Sequence, residues 1–101
     1  MKTRVVVFSP EAEEELAALY RYIAAAASPS IAADYTDAIV THCQNLRRFP
    51  ERGTRRDDIR PGLRISNYRK RVIIAFVIEP DKVLILGIFC GGRDYETVLA
   101  E

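Results

Sequence analysis

Side chains able to do chemistry are sparse in this sequence, and most of them stand alone. The single histidine, His42, falls three residues after Ile39 and four before Leu46, on the flank of an apolar stripe. A histidine so placed is expected to pack. No Cys, Asp or Glu is spaced to complete a metal site with it, and no evident nucleophile waits for it as a base. Asp57 and Asp58 are adjacent carboxylates among arginines, which suits a capping or ion-paired turn better than an acid/base pair. Cys43 and Cys90 sit among apolar neighbours and are too few for a secretory disulfide framework. They read as two buried free thiols in a reducing compartment. There is no glycine-rich phosphate loop and no metal-ligand cluster, so no cofactor or metal is implied.

What remains is cationic. Residues 52–71 hold eight Lys/Arg and two Asp/Glu. From this block Arg60, Arg64, Arg69 and Arg71 are candidate partner-binding residues, together with Arg93 and Tyr95 beyond the last apolar run. Guanidinium groups grip phosphates and carboxylates through paired N–H donors, so the expected ligand is a nucleic-acid phosphate or an acidic protein segment. Arg, Lys and Tyr without His can also support phosphodiester cleavage, since cations stabilise developing charge and a tyrosine can pass a proton. Nothing in the spacing demands that activity. The competing reading is a solvated edge, where cations guard strands against aggregation.

These cations need a scaffold, and the scaffold is legible. Val72–Ile78 is seven apolar residues without a polar break, as expected of a strand covered on both faces. Val83–Cys90 is as apolar, and only Glu79-Pro80-Asp81-Lys82 separates the two, so they predict an antiparallel hairpin at the centre of a sheet. Thr3–Phe8 predicts a first strand, and Leu63–Ser66 a short one that turns near Asn67. Ser9-Pro10-Glu11 opens a helix ending near Ala27, with Leu16, Leu19, Tyr20 and Ile23 at helical spacing. Ser28-Pro29-Ser30 breaks it and caps a second helix, whose predicted buried face is Tyr35, Ile39, Cys43, Leu46 and Phe49. Glu51–Gly62 predicts a polar connection. Gly91-Gly92 ends the last strand, and Asp94 is placed to cap a closing helical turn. The expected class is α+β: an N-terminal strand, an antiparallel helical hairpin on a largely antiparallel four-stranded sheet, and a short C-terminal helical tail.

A chain of 101 residues with 49% hydrophobic and 29% charged content makes one globular domain, residues 1–101. The net charge of +1 conceals an uneven layout: 5 basic against 6 acidic residues in positions 1–50, then 10 against 8 in 51–101. No apolar run approaches the roughly 20 residues that cross a bilayer, and Met1-Lys2-Thr3-Arg4 is not followed by a signal-length apolar stretch. A cytoplasmic protein with no membrane partner is expected.

Taken in order, Phe8-Ser9-Pro10-Glu11-Ala12, Leu46-Arg47-Arg48-Phe49-Pro50-Glu51-Arg52-Gly53, Arg56-Asp57-Asp58-Ile59-Arg60-Pro61-Gly62-Leu63-Arg64 and Gly91-Gly92-Arg93-Asp94 resemble the toxins of the RelE/ParE superfamily over nearly the whole length, and the ParE branch more closely. The resemblance implies the same α+β fold and a type II toxin–antitoxin system in which a ParD-like antitoxin neutralises the toxin. It implies DNA gyrase as the target and a non-enzymatic mode of action. The RelE branch, by contrast, cuts mRNA on the ribosome with a Lys, Arg and Tyr set that only Arg64, Arg71, Arg93 and Tyr95 could imitate here. Cys90 stands where many relatives carry a histidine, so no role is carried over from that position.

Overall fold

The computed structural model describes residues 4–49, 51–91 and 94–100. Strand β1 (Val5–Phe8) leads into helices α1 (Pro10–Ala26) and α2 (Pro29–Asn45), and strands β2 (Thr54–Arg55), β3 (Leu63–Tyr68), β4 (Val72–Ile78) and β5 (Lys82–Cys90) follow, closed by helix α3 (Tyr95–Ala100). The sheet order is β1-β5-β4-β3-β2. The expected apolar hairpin is therefore its centre. Its strands pair antiparallel, and Glu79 N donates to Lys82 O across the turn at 2.8 Å. The outer strand β1 pairs parallel with β5, so the sheet is mixed.

Both faces of β4 are covered, as its unbroken apolar run requires. On one face Val72, Ile74 and Phe76 pack with Ala12, Ile39, Cys43 and Leu46 of the helical hairpin. On the other, Ala75 joins Leu63, Ile65, Phe89 and, from α3, Leu99. Both long helices begin as their sequences dictate. Ser9 Oγ accepts from Ala12 N at 3.0 Å and Ser28 Oγ from Ile31 N at 3.1 Å, with Pro in the first turn of each helix. Each such cap contributes about 1 kcal/mol.

Several details depart from the sequence expectation. The polar connection contributes a fifth, two-residue strand, β2, on the outer edge of β3. The turn lies beyond Asn67: β3 continues through Tyr68, with Asn67 paired to Ile73, and Arg69–Arg71 makes the connection. Phe49, expected on the buried face of α2, is 58% exposed, because the helix has ended at Asn45 and the chain has turned outward. Thr3 and Gly92, expected at strand boundaries, lie outside the described residues.

One irregularity organises the helix–sheet contact. Ala75 pairs with Gly87 but Phe76 with Ile85, so Leu86 is the extra residue of a β-bulge. Backbone groups around a bulge lose their ladder partners, and α1 supplies substitutes. Ser9 N donates to Ile85 O at 2.9 Å, Ser9 Oγ donates to Leu86 O at 3.0 Å, and Ile88 N donates to Glu15 Oε1 at 2.8 Å. Gly87 is needed there, since a Cβ would lie 2.6 and 2.8 Å from ring carbons of Phe89.

Candidate functional site

The register of β3 decides where the candidate arginines go. Arg64 sits opposite Phe76 near the start of β3, whereas Arg69 and Arg71 follow its end. Five residues of extended chain separate Arg64 from Arg69 by about 17 Å. The candidate cations thus occupy separate places.

At the β2 edge, Arg64 Nη1 donates to Glu51 O at 2.9 Å, and Arg55 lies directly across the ladder from Arg64. Arg52 follows Glu51 in the chain, its guanidinium 5.1 Å from the centre of the exposed Phe49 ring. Asp57 folds the turn that precedes β3: it accepts from Gly62 N at 2.8 Å and from Arg55 Nε at 3.0 Å. The Gly62 amide first, then Arg55, hold its carboxyl below the usual carboxylate range. Asp58 is held low chiefly by Arg56. The adjacent carboxylates are an ion-paired turn, as their sequence context implied.

Around α3 stand Arg60 and Tyr95. Arg60 is half-buried and borders a hollow of about 290 Å³ with Ser9, Glu11, Glu15 and Phe89. The Tyr95 ring packs 6.1 Å from that of Phe89, and its hydroxyl accepts from Arg56 Nη1 at 2.8 Å. Arg56 also reaches Asp58 at 3.0 Å and Glu96 at 2.7 Å, which pins α3 to the turn before β3. Asp94 caps the helix as expected, accepting from Thr97 N at 3.2 Å and from Thr97 Oγ1 at 2.6 Å. Arg93 lies outside the described residues.

The third place is the end of the sheet where β4 begins and β5 ends. Arg69, Lys70 and Arg71 are all exposed there. The Arg69 guanidinium lies 5.3 Å from the Tyr68 ring, which meets Tyr35 edge-on at 6.4 Å. Arg71 stands on the lip of an open cleft of about 480 Å³, walled by Leu19, Tyr22 and Ile23 of α1, Tyr35 of α2, and Val72 and Ile88 of the sheet. Here an exposed candidate cation, Arg71, adjoins a sizeable and mainly apolar recess. The sequence does display the Tyr68-Arg69-Lys70-Arg71 run, but the cleft is assembled from helix and strand residues far apart in the chain.

His42 remains a packing group. Its Nε2 is 3.0 Å from Ser66 Oγ, and its ring lies against Tyr68 at 5.3 Å. Burial, then the nearby Arg52, lower its pKa. Burial pushes the Cys43 thiol up to about 12, so it is an inert apolar filler; Cys90 is only partly buried. Among the described residues no group of His, Cys, Asp and Glu could hold a metal ion, and no helix is long and apolar enough to cross a membrane.

Residues 6–95 match the family model of the ParE toxin of the type II toxin–antitoxin system parDE. The chain belongs to the ParE toxin family. Among solved structures, this ParE-family chain is similar to one described as the chromosomal ParDE toxin–antitoxin system from P. aeruginosa, with a TM-score of 0.76 and 20% identity over 87% of this chain and 96% of that one. That likeness is one of fold. No curated protein matches the sequence. Sequence reasoning passed over Arg56, which ties α3 down, and Glu15, which anchors α1 to the bulge. It also passed over Tyr22 and Tyr68, and read Tyr35 only as part of the buried face of α2; the three tyrosines are aromatic neighbours of the cleft and the basic turn. The glutamate-rich start of α1 marks Glu15 only as one of several similar residues, and nothing local distinguishes it.

Proposed function

We propose that this ParE-family toxin acts in the cytoplasm as a non-enzymatic inhibitor of DNA gyrase and is silenced by a ParD-like antitoxin. The observation that carries the reading is the family match across residues 6–95, and the solved ParDE system of the same fold is why the antitoxin is taken to be ParD-like. The geometry supports the non-enzymatic part. An RNA-cleaving site of the RelE kind would have to draw on Arg64, Arg71, Arg93 and Tyr95, of which Arg93 lies outside the described residues. Here Arg64 and Arg71 lie toward opposite ends of β3, and the Tyr95 hydroxyl is engaged by Arg56.

Two assays separate the alternatives. Purified toxin at micromolar concentration is expected to block supercoiling by gyrase, and expression without antitoxin is expected to arrest growth with DNA damage. Undiminished supercoiling, combined with codon-linked cuts in a toeprint of a translated message, would replace this reading with that of a ribosome-dependent endonuclease.

A further inference from the structure

The connection from α2 to β2 is crowded with arginine. Between Leu46 and Arg55 the chain carries Arg47, Arg48, Arg52 and Arg55 against a single acidic residue, Glu51. All four arginines are exposed. Arg55 shares a surface ion pair with Asp57, whereas Arg47, Arg48 and Arg52 have no carboxylate partner among the described residues.

Cations just past a helix C-terminus can serve the helix itself, by bonding its last carbonyls. Here the backbone already does so. Leu46 N donates to Cys43 O at 3.0 Å, Arg47 N to Gln44 O at 3.3 Å and Arg48 N to Asn45 O at 3.2 Å. The exposed side chains of Arg47 and Arg48 are not needed to close α2.

The same segment is held in place at several points. Arg52 N donates to Phe49 O at 3.2 Å, and the Arg52 guanidinium lies 5.1 Å from the centre of the Phe49 ring. Gly53, at φ +88°, lets the backbone press onto β3, where a Cβ would lie only 2.3 Å from Ile65 O. Arg64 reaches across from β3 to Glu51 O at 2.9 Å. Arg52 and Arg55 therefore project from a fixed backbone, which lowers the entropy lost when they bind.

We infer that this arginine patch binds the phosphate backbone of duplex DNA, with Arg47, Arg48, Arg52 and Arg55 each on a phosphate. The inference rests on the gyrase reading and adds that a toxin seated on the enzyme also grips the DNA being handled there. Guanidinium groups stay charged and present paired N–H donors that match phosphate oxygens. Duplex DNA offers one negative charge per about 1.7 Å of axis, so clustered cations find partners without reading any base. An acidic protein segment fits less well. Such a partner anchors itself by apolar side chains, and the exposed apolar ring of this stretch, Phe49, already lies against Arg52.

The test takes the purified, antitoxin-free toxin and measures its binding to a fluorescein-labelled DNA duplex by anisotropy. Supercoiling inhibition is measured on the same proteins. Four phosphate contacts give a log–log salt slope of about −3.6, so affinity should fall about 100-fold from about 50 to about 200 mM salt. Arg47→Ala/Arg48→Ala should bind more weakly throughout and lose only about tenfold over that range. Two exposed charge pairs are together worth about tenfold, so this variant should need about tenfold more toxin for equal inhibition. Phe49→Ala, which removes the ring beside Arg52, should weaken DNA binding about two- to fivefold. Arg21→Ala/Lys82→Ala changes the net charge equally and should stay within about threefold of the parent. If Arg47→Ala/Arg48→Ala misfolds by circular dichroism, Arg52→Ala/Arg55→Ala replaces it with the same expectation.

A toxin that blocks supercoiling without binding the duplex, or whose binding and inhibition ignore the patch variant, overturns the inference and leaves the gyrase reading standing. Equal losses in the patch and control variants would assign binding to net charge and also overturn it. Tighter binding to single-stranded RNA of the same length would refute duplex DNA as the ligand. Undiminished supercoiling at micromolar toxin removes the gyrase reading and this inference with it.

Discussion

The backbone of the Arg69-Lys70-Arg71 turn allows a sharp test of whether this protein carries strain there for the sake of its surface. In the left-handed region a non-glycine residue pays about 1–2 kcal/mol relative to the right-handed one. Replacing Lys70, at φ +65°, by glycine removes that term, while the greater freedom of glycine in the unfolded chain returns about 0.5–1 kcal/mol of it. The net expectation is a stabilisation of about 0.5–1 kcal/mol. Exchanging Arg69, at φ +52°, for asparagine adds a few tenths more, since asparagine tolerates this region better than arginine. With an unfolding entropy near 2.1 cal/mol/K per residue, a chain of 101 residues has about 0.2 kcal/mol/K, so 1 kcal/mol corresponds to about 5 °C.

Arg69→Asn/Lys70→Gly is therefore expected to melt about 3–6 °C above the parent in a calorimetric or circular-dichroism scan. Removing two neighbouring cations also relieves repulsion. The control is Arg69→Ala/Lys70→Ala, which takes away the same charges but keeps a Cβ in the strained region. If the Asn/Gly variant melts no higher than the alanine control, the strain argument is wrong, whatever the turn binds.

Four further outcomes follow from the packing and the pH behaviour. Phe76→Ala empties a fully buried position at the centre of the sheet and should cost about 3–5 kcal/mol in urea unfolding. Gly87→Ala drives a methyl into the buried Phe89 ring and should cost about 1–3 kcal/mol by the same measurement. Glu15→Ala strips the buried Ile88 amide of its acceptor and should destabilise by about 1–3 kcal/mol, with faster exchange of the Ile88 amide as its local signature. Burial, then Arg52, keep the His42 imidazole neutral to lower pH in the folded chain than its ordinary value of 6.5. The unfolded chain thus takes the proton first. Stability is fully present above that value and declines as pH falls below it, levelling off below the folded-state pKa; His42→Gln should flatten that part of a denaturation midpoint-against-pH curve.

The elements whose character is written locally were readable without coordinates. Val72–Ile78 reads as a doubly covered strand from its short, unbroken and largely β-branched apolar run, and Ser9-Pro10 and Ser28-Pro29 mark helix starts because hydroxyl caps and missing proline amides act within a single turn. What escaped notice is long-range. The parallel pairing of β1 with β5 and the bulge at Leu86 depend on partners at the other end of the chain. Strand β2 has only two residues, both exposed, and so no periodicity to detect. Phe49 was misplaced because apolar spacing alone cannot say that a helix has stopped one turn earlier. The basic segment was visible as composition, but only the run of β3 to Tyr68 reveals that its arginines face different neighbours.

The parallel seam between β1 and β5 bears on how such a toxin comes into being. Strand β1 finds its neighbour only once β5, far along the chain, has been translated, and α1 and its cap rest on backbone groups of that same strand. A growing chain on the ribosome can form its helical hairpin early but has nothing to lay it on. The layer of helices on sheet is thus completed only once β5 exists, and a chain stopped before Cys90 lacks the full strand on which β1 and α1 rest.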